Sequence, residues 1–196
     1  MNSPAHVIFS LALLGRPNAV KYAVAITAGA LLPDAFMLVF YAYEKFRGVP
    51  EIVIWRDHYY EAFWQNLFDA TNSIPLLSIA LLISISMKGY TWAFMFGSMI
   101  IHCLLDLPVH HDDGHRHFFP ISDFRFQSPV SYWNPDYHGN VVGLMEMALF
   151  LAGIVYLWNS EHGPERSFYS LTRLRTVVVL TTIVYCGFFV FVASPG

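Results

Sequence analysis

The chain reads as an all-α protein: a polytopic membrane helix bundle of about four spanning helices plus a short N-terminal half-helix, capped at one end by an aromatic, histidine-rich loop. Three observations point there. Hydrophobic residues make up 56% of the 196 residues and charged residues only 13%, where soluble domains carry roughly 25% charged residues. Apolar runs of near-membrane length recur along the chain, separated by Gly, Pro and polar turns. One of these runs empties into HHDDGHRH, so that five of the nine histidines fall between His102 and His117. The length suits a single integral domain, residues 1–196, with the loop 108–140 inside it. A net charge of −3 leaves no basic surface for nucleic acid. Cys103 and Cys186 both sit in apolar runs and read as packing residues, not as a disulfide.

The first element is SPAHVIFSLALLG. Ser3-Pro4 is a helix start, with Ser as cap and Pro in the first turn. No Lys or Arg precedes the apolar part and Gly15-Arg16-Pro17 is not a cleavage site, so the segment reads as retained structure. About eleven residues cannot span a bilayer, which leaves an interfacial helix or an intramembrane half-helix. A second helix over 19–43 is long enough to span, and it carries Asp34 in LLPDAF behind Pro33, which loosens the backbone there. At 1.5 Å per residue His6 lies ~14 Å from the turn and Asp34 ~22 Å beyond Ala19, so a hairpin brings both into the same half of the membrane.

Residues 44–73 are mixed, with Gly48 and Pro50 breaking any long helix. Trp55, Tyr59, Tyr60 and Trp64 fit an interfacial aromatic belt. Asp69 leads into the apolar run 74–86, which reaches membrane length only if 68–72 belongs to the same helix. The next span, 91–107, carries His102 and Asp106 four residues apart on one face, and Pro108 ends it. Pro120, Pro129, Pro135 and Gly139 forbid a long helix in the loop that follows, whose aromatic content suits a lid or wall. The runs 141–158, bearing Glu146, and 176–193 complete the bundle. Lys and Arg positions divide six (Arg16, Lys21, Lys88, Arg166, Arg173, Arg175) against five (Lys45, Arg47, Arg56, Arg116, Arg125), which puts the histidine loop outside the cytoplasm.

Ionisable groups inside a bilayer segment mark a site. His6, Asp34, Asp69, His102, Asp106 and Glu146 share one depth, and one lone buried carboxylate would protonate, whereas several with histidines call for a cation. Pro108 and Gly114 return the loop towards His102, adding His110, His111, Asp112 and His115 as ligands. Imidazole and carboxylate suit a divalent metal, first Zn, then Mn, Fe or Mg, and the ligand surplus implies two or more ions. Two ions can clamp a phosphoryl group and activate water, with Asp112 or Asp113 as general base.

The order SPAH, LLPD, DATNS, GSMIIHCLLDL and P-I-S resembles the YdjM-like, LexA-binding family of inner-membrane proteins, over roughly residues 3–123. That family is described as membrane-bound metal-dependent hydrolases, distantly like zinc-dependent phospholipase C and single-strand nucleases. The resemblance implies a bacterial inner-membrane location and His6, Asp34, His102 and Asp106 as ligands. The family's H-R-G-x-T-H-S is here L-F-D-A-T-N-S, with Asn72 where a histidine is expected, and Asp69 stands as the substitute ligand. The expected function is therefore a membrane-embedded phosphoester hydrolase acting on a lipid or related phosphoester. The alternative is a non-catalytic metal-binding membrane protein, or an accessory subunit with membrane protein partners.

Overall fold

The computed structural model describes residues 1–159 and 168–193. Among them the chain is all-helical, without a strand. The α-helices are α1 (Ser3–Leu13), α2 (Arg16–Phe46), α3 (Glu51–Arg56), α4 (Ala62–Thr71), α5 (Ile74–Ser86), α6 (Tyr90–Asp106), α7 (Gly139–Trp158) and α8 (Phe168–Ala193). Three of the described stretches are long and apolar enough to cross a membrane: Val20–Phe46, Tyr90–Val109 and Gly139–Trp158. The pair α4 and α5 makes a fourth if taken as one broken span, bent by 43° at Asn72-Ser73. Large apolar side chains cover the outside of the bundle, Leu82, Leu144, Leu151, Val155 and Ile183 among them, as a lipid-facing surface requires and a water-facing one avoids. Arg166, counted in the charge asymmetry, lies outside the described residues.

Helix α2 is the hub, packing on α1, α4, α6 and α8. It starts earlier than expected, at Arg16, with a non-helical break at Tyr22 (φ −116°, ψ 22°). Its approach to α6 requires Gly29: a Cβ there would lie 2.1 Å from the Met95 carbonyl oxygen. That proximity lets two α6 side chains, Ser98 and His102, one turn apart, donate to two α2 carbonyls one turn apart. The Ser98 hydroxyl bonds Ile26 O at 2.7 Å and His102 Nδ1 bonds Ala30 O at 2.8 Å.

Helix α1 is enclosed by α2, α6, α7 and α8, and Ala5, His6, Val7, Ile8, Ser10 and Leu11 are all buried. Ile8 and Leu11 join Ile26, Phe150 and Tyr185 in the main core. An interfacial helix would present one whole face to water or headgroups, and α1 does not. Cysteines introduced at Ile8, Ser10 or Leu11 are therefore expected to resist a water-soluble maleimide in the intact protein. Ready labelling along that series would contradict the enclosed position.

Two local expectations change. The helix cap falls on Asn2 without a side-chain cap bond, and the Ser3 hydroxyl instead bonds Asp34. Of the aromatic belt, Tyr59 is buried against Phe40 and Phe68, so it packs the α2–α4 contact, while Trp55 and Tyr60 stay exposed. Both cysteines are free, Cys103 buried and Cys186 exposed.

Candidate metal centre

Four of the residues singled out in the sequence meet at the α1–α2–α6 junction. Helix α6 presents His102 and Asp106 from one face, Nε2 to Oδ2 3.0 Å. Helix α1 brings His6 over them: its ring stacks on that of His102 with centroids 3.7 Å apart and planes 17° from parallel, and its Nε2 lies 3.0 Å from Asp106 Oδ1. Asp34, on α2 just beyond Pro33, stands 3.5 Å from His102 Nε2. One nitrogen or oxygen from each of His6, His102 and Asp106 falls within 4.8 Å of the others, and all three residues are buried.

The hydrogen-bond direction at His102 decides what this cluster lacks. A carbonyl only accepts, so the bond to Ala30 O fixes the proton on Nδ1 and leaves Nε2 with a bare lone pair in the neutral ring. That lone pair faces two carboxylates, which are also acceptors. His6 Nε2 and His102 Nε2 are both buried without a hydrogen-bond partner among the described residues. Converging acceptors of this kind suit a cation between them, and part of that demand is already met by the Met1 amine at Asp106 Oδ1 and the Ser3 hydroxyl at Asp34. Either a proton on His102 Nε2 alone or one divalent ion would answer the facing carboxylates, whereas protonating both stacked rings would set two like charges against each other. The Ala30 carbonyl fixes the orientation of the His102 ring, as an outer partner would for a ligating imidazole.

The N-terminal residues complete the surroundings, and nothing in the spacing of the sequence pointed to them. The Met1 amine lies 2.8 Å from Asp106 Oδ1 and 3.1 Å from His110 Nε2. Asn2 donates its backbone N–H and its side-chain amide to Glu146, at 3.1 and 2.7 Å, and Tyr185 donates its hydroxyl to the same carboxylate. Glu146 therefore sits one residue away from the cluster, holding the start of α1.

The loop residues divide. His110 adjoins the centre, Nε2 3.3 Å from Asp106 and Nδ1 3.0 Å from Asp113. Burial alone would lower the His110 imidazole, but the two carboxylates outweigh it and raise it. Burial likewise opposes ionisation of Asp113, yet His110 and the Trp133 indole N–H hold it below the ordinary range. Asp112, Asp113 and His115 line the same cleft as Asp34, Asp106 and His110, a space of about 610 Å³. His111 turns away, donating Nδ1 to Ser128 O at 2.6 Å and stacking on Tyr137.

Asp69 is buried but stands apart from the cluster. It accepts from the Arg116 backbone N–H at 2.9 Å and from both the Arg116 and Arg125 guanidiniums, with His115 Nδ1 3.6 Å away. Asn72, the departure from the family pattern, uses its backbone carbonyl to accept from His117 Nδ1. Together with the Ile74 N–H bond to His117 O and the Ser73 bond to Phe119 O, this stitches the α4–α5 break to the loop. Asp69→Ala would leave two arginines without their shared carboxylate, so cleavage by a soluble protease between His110 and Phe126 should accelerate strongly while the helices persist. An unchanged cleavage pattern would show that Asp69 does not hold the loop. One buried acid passed over in the sequence, Glu44, is paired with His58 and Arg47 and so stands outside the centre.

No family model matches the chain, and no curated protein or solved structure matches it either.

Proposed function

We propose that the protein is a membrane-embedded, metal-dependent hydrolase of phosphoester bonds, and that it belongs with the YdjM-like proteins its motifs resemble. The observation that carries the reading is the convergence of His6, His102 and Asp106, with two buried Nε2 atoms facing the Asp106 carboxylate, beside a cleft. His6, His102 and Asp106 would hold the ion, Zn before Mn, Fe or Mg, with Asp34 and His110 as further ligands and room for a second ion. A divalent cation in that position supplies Lewis acidity, activating water and neutralising charge on a phosphoryl group.

The chain's own groups do the rest. Asp112 and Asp113 line the cleft, and one of the two takes the proton from the attacking water. Met37, Leu38 and Trp55 give the same cleft an apolar wall, and Leu38 is exposed on the outer surface of α2. That supports a substrate drawn from the bilayer, a lipid phosphoester. The loop side is assigned outside the cytoplasm on the charge asymmetry.

Full burial of His6 and His102 favours a second reading, a closed, non-catalytic metal site in a membrane subunit. Activity separates the two. Metal-loaded protein in detergent should hydrolyse a chromogenic phosphodiester or a phospholipid in a chelator-sensitive way. The double variant Asp112→Asn, Asp113→Asn should lose about 10²–10⁴-fold in kcat with its metal content unchanged. Absence of turnover on any phosphoester by metal-loaded protein would overturn the hydrolase in favour of the closed site.

A further inference from the structure

A second cavity, of about 520 Å³, adjoins the metal cleft and shares Tyr59, Tyr60, Asp112 and Asp113 with it. Its remaining wall carries Arg116 and Arg125, with Gln65, Asn66, Gly114 and Asp123. We propose that this cavity is an oxyanion subsite, built on Arg116 and Arg125, for a phosphate or carboxylate group. It rests on the hydrolase reading in one respect only: the anion is a second charged group of the molecule whose phosphoester lies at the metal.

Both guanidiniums are held in place before any ligand arrives. Arg116 bonds Asp69 through Nε and Asn66 through Nη2, and its plane lies over the Phe119 ring, 4.9 Å from the centroid. Arg125 bonds Gly114 O at 2.6 Å, Gln65 at 2.8 Å and Asp69 at 3.2 Å. Fixed forks of this kind bind oxyanions with little ordering cost. Beyond these bonds Arg125 retains Nε–H and one Nη1–H, and Arg116 one N–H on each terminal nitrogen.

Counted over the lining the charge does not favour an anion, because Asp112, Asp113 and Asp123 stand beside the two arginines, so binding depends on how each acid is engaged. Two arginines share one buried carboxylate, Asp69, so one positive charge is left over. Its partner is Asp123, bonded to Arg116 Nη1 at 2.6 Å, whose side chain is 90% exposed. A pair so open to water contributes little, which makes Asp123 a displaceable occupant of the position a phosphoryl oxygen would take. The shared acids oppose an anion only in part. Asp113 is engaged by His110 and Trp133, and Asp112 is exposed and screened by solvent.

The test uses the full chain in nanodiscs of zwitterionic lipid, stripped of metal by a chelator, so that failure of the metal centre cannot mask the result. Inorganic phosphate is the probe, followed by calorimetric titration. Saturable binding is expected. Asp123→Asn should tighten it by about threefold or more, and Arg125→Gln should weaken it by a similar factor. Repeating the titration in discs containing phosphatidic acid separates the sources. A weakened apparent phosphate affinity there means a lipid headgroup competes for the subsite, and an unchanged one means a soluble ligand. Absence of saturation, or equal affinity in wild type, D123N and R125Q, would overturn the proposal; D123N alters an exposed side chain and keeps the fold.

Discussion

Asp106→Asn is expected to empty the metal centre. Oδ2 of Asp106 faces His102 Nε2 at 3.0 Å, and Oδ1 faces His6 Nε2 at 3.0 Å, the Met1 amine at 2.8 Å and His110 Nε2 at 3.3 Å. Asparagine keeps the shape but removes the charge and turns an N–H₂ donor towards at least one of these groups. Both stacked imidazoles then lose the carboxylate that couples them. Loss of an outer partner alone typically costs about 10–100-fold in metal affinity, and loss of the central ligand should exceed that. Asp57→Asn, an exposed acid paired with Arg56, serves as the control and should bind metal as wild type does. Equal metal content in D106N and wild type would remove Asp106 from the ligand set.

Gly29→Ala should act on the same centre from a distance. The added methyl would meet the Met95 carbonyl at 2.1 Å, and that atom is backbone that cannot swing aside. Helices α2 and α6 must separate, which overpacking data put at about 1–3 kcal/mol. The separation breaks the Ser98–Ile26 and His102–Ala30 bonds, and the second of these sets the tautomer of His102. Reduced thermal stability together with weakened metal binding is expected, although no ligand has been touched. A variant that melts and binds metal as wild type does would show that the α2–α6 approach does not position His102.

Much of this arrangement was legible because it is local. An i, i+4 spacing places His102 and Asp106 on one face whatever the rest of the chain does, and helix rise alone brings His6 and Asp34 to a common depth. The all-helical bundle followed from composition and run length in the same way. What depended on distant partners was not legible. Asp69 looked like a ligand because its partners, Arg116 and Arg125, lie 47 and 56 residues away and no pattern links them. Ser3 gave only a helix-start signal and Asn2 none, whereas their side chains serve Asp34 and Glu146. The bend between α4 and α5 did carry a local signal, Ser73 as the side-chain cap of α5 and Pro75 in its first turn, and the loop bonds at Asn72–Ile74 add to it.

Metal analysis of the purified protein bears most directly on the central claim. Detergent-extracted wild type, dialysed against metal-free buffer without chelator, should retain at least one equivalent of Zn, Mn or Fe per chain. That equivalent should disappear in D106N and in a His6→Ala, His102→Ala double variant whose helical content is intact. Wild-type protein that carries no transition metal, and takes up none when Zn, Mn or Fe is supplied, would contradict the account.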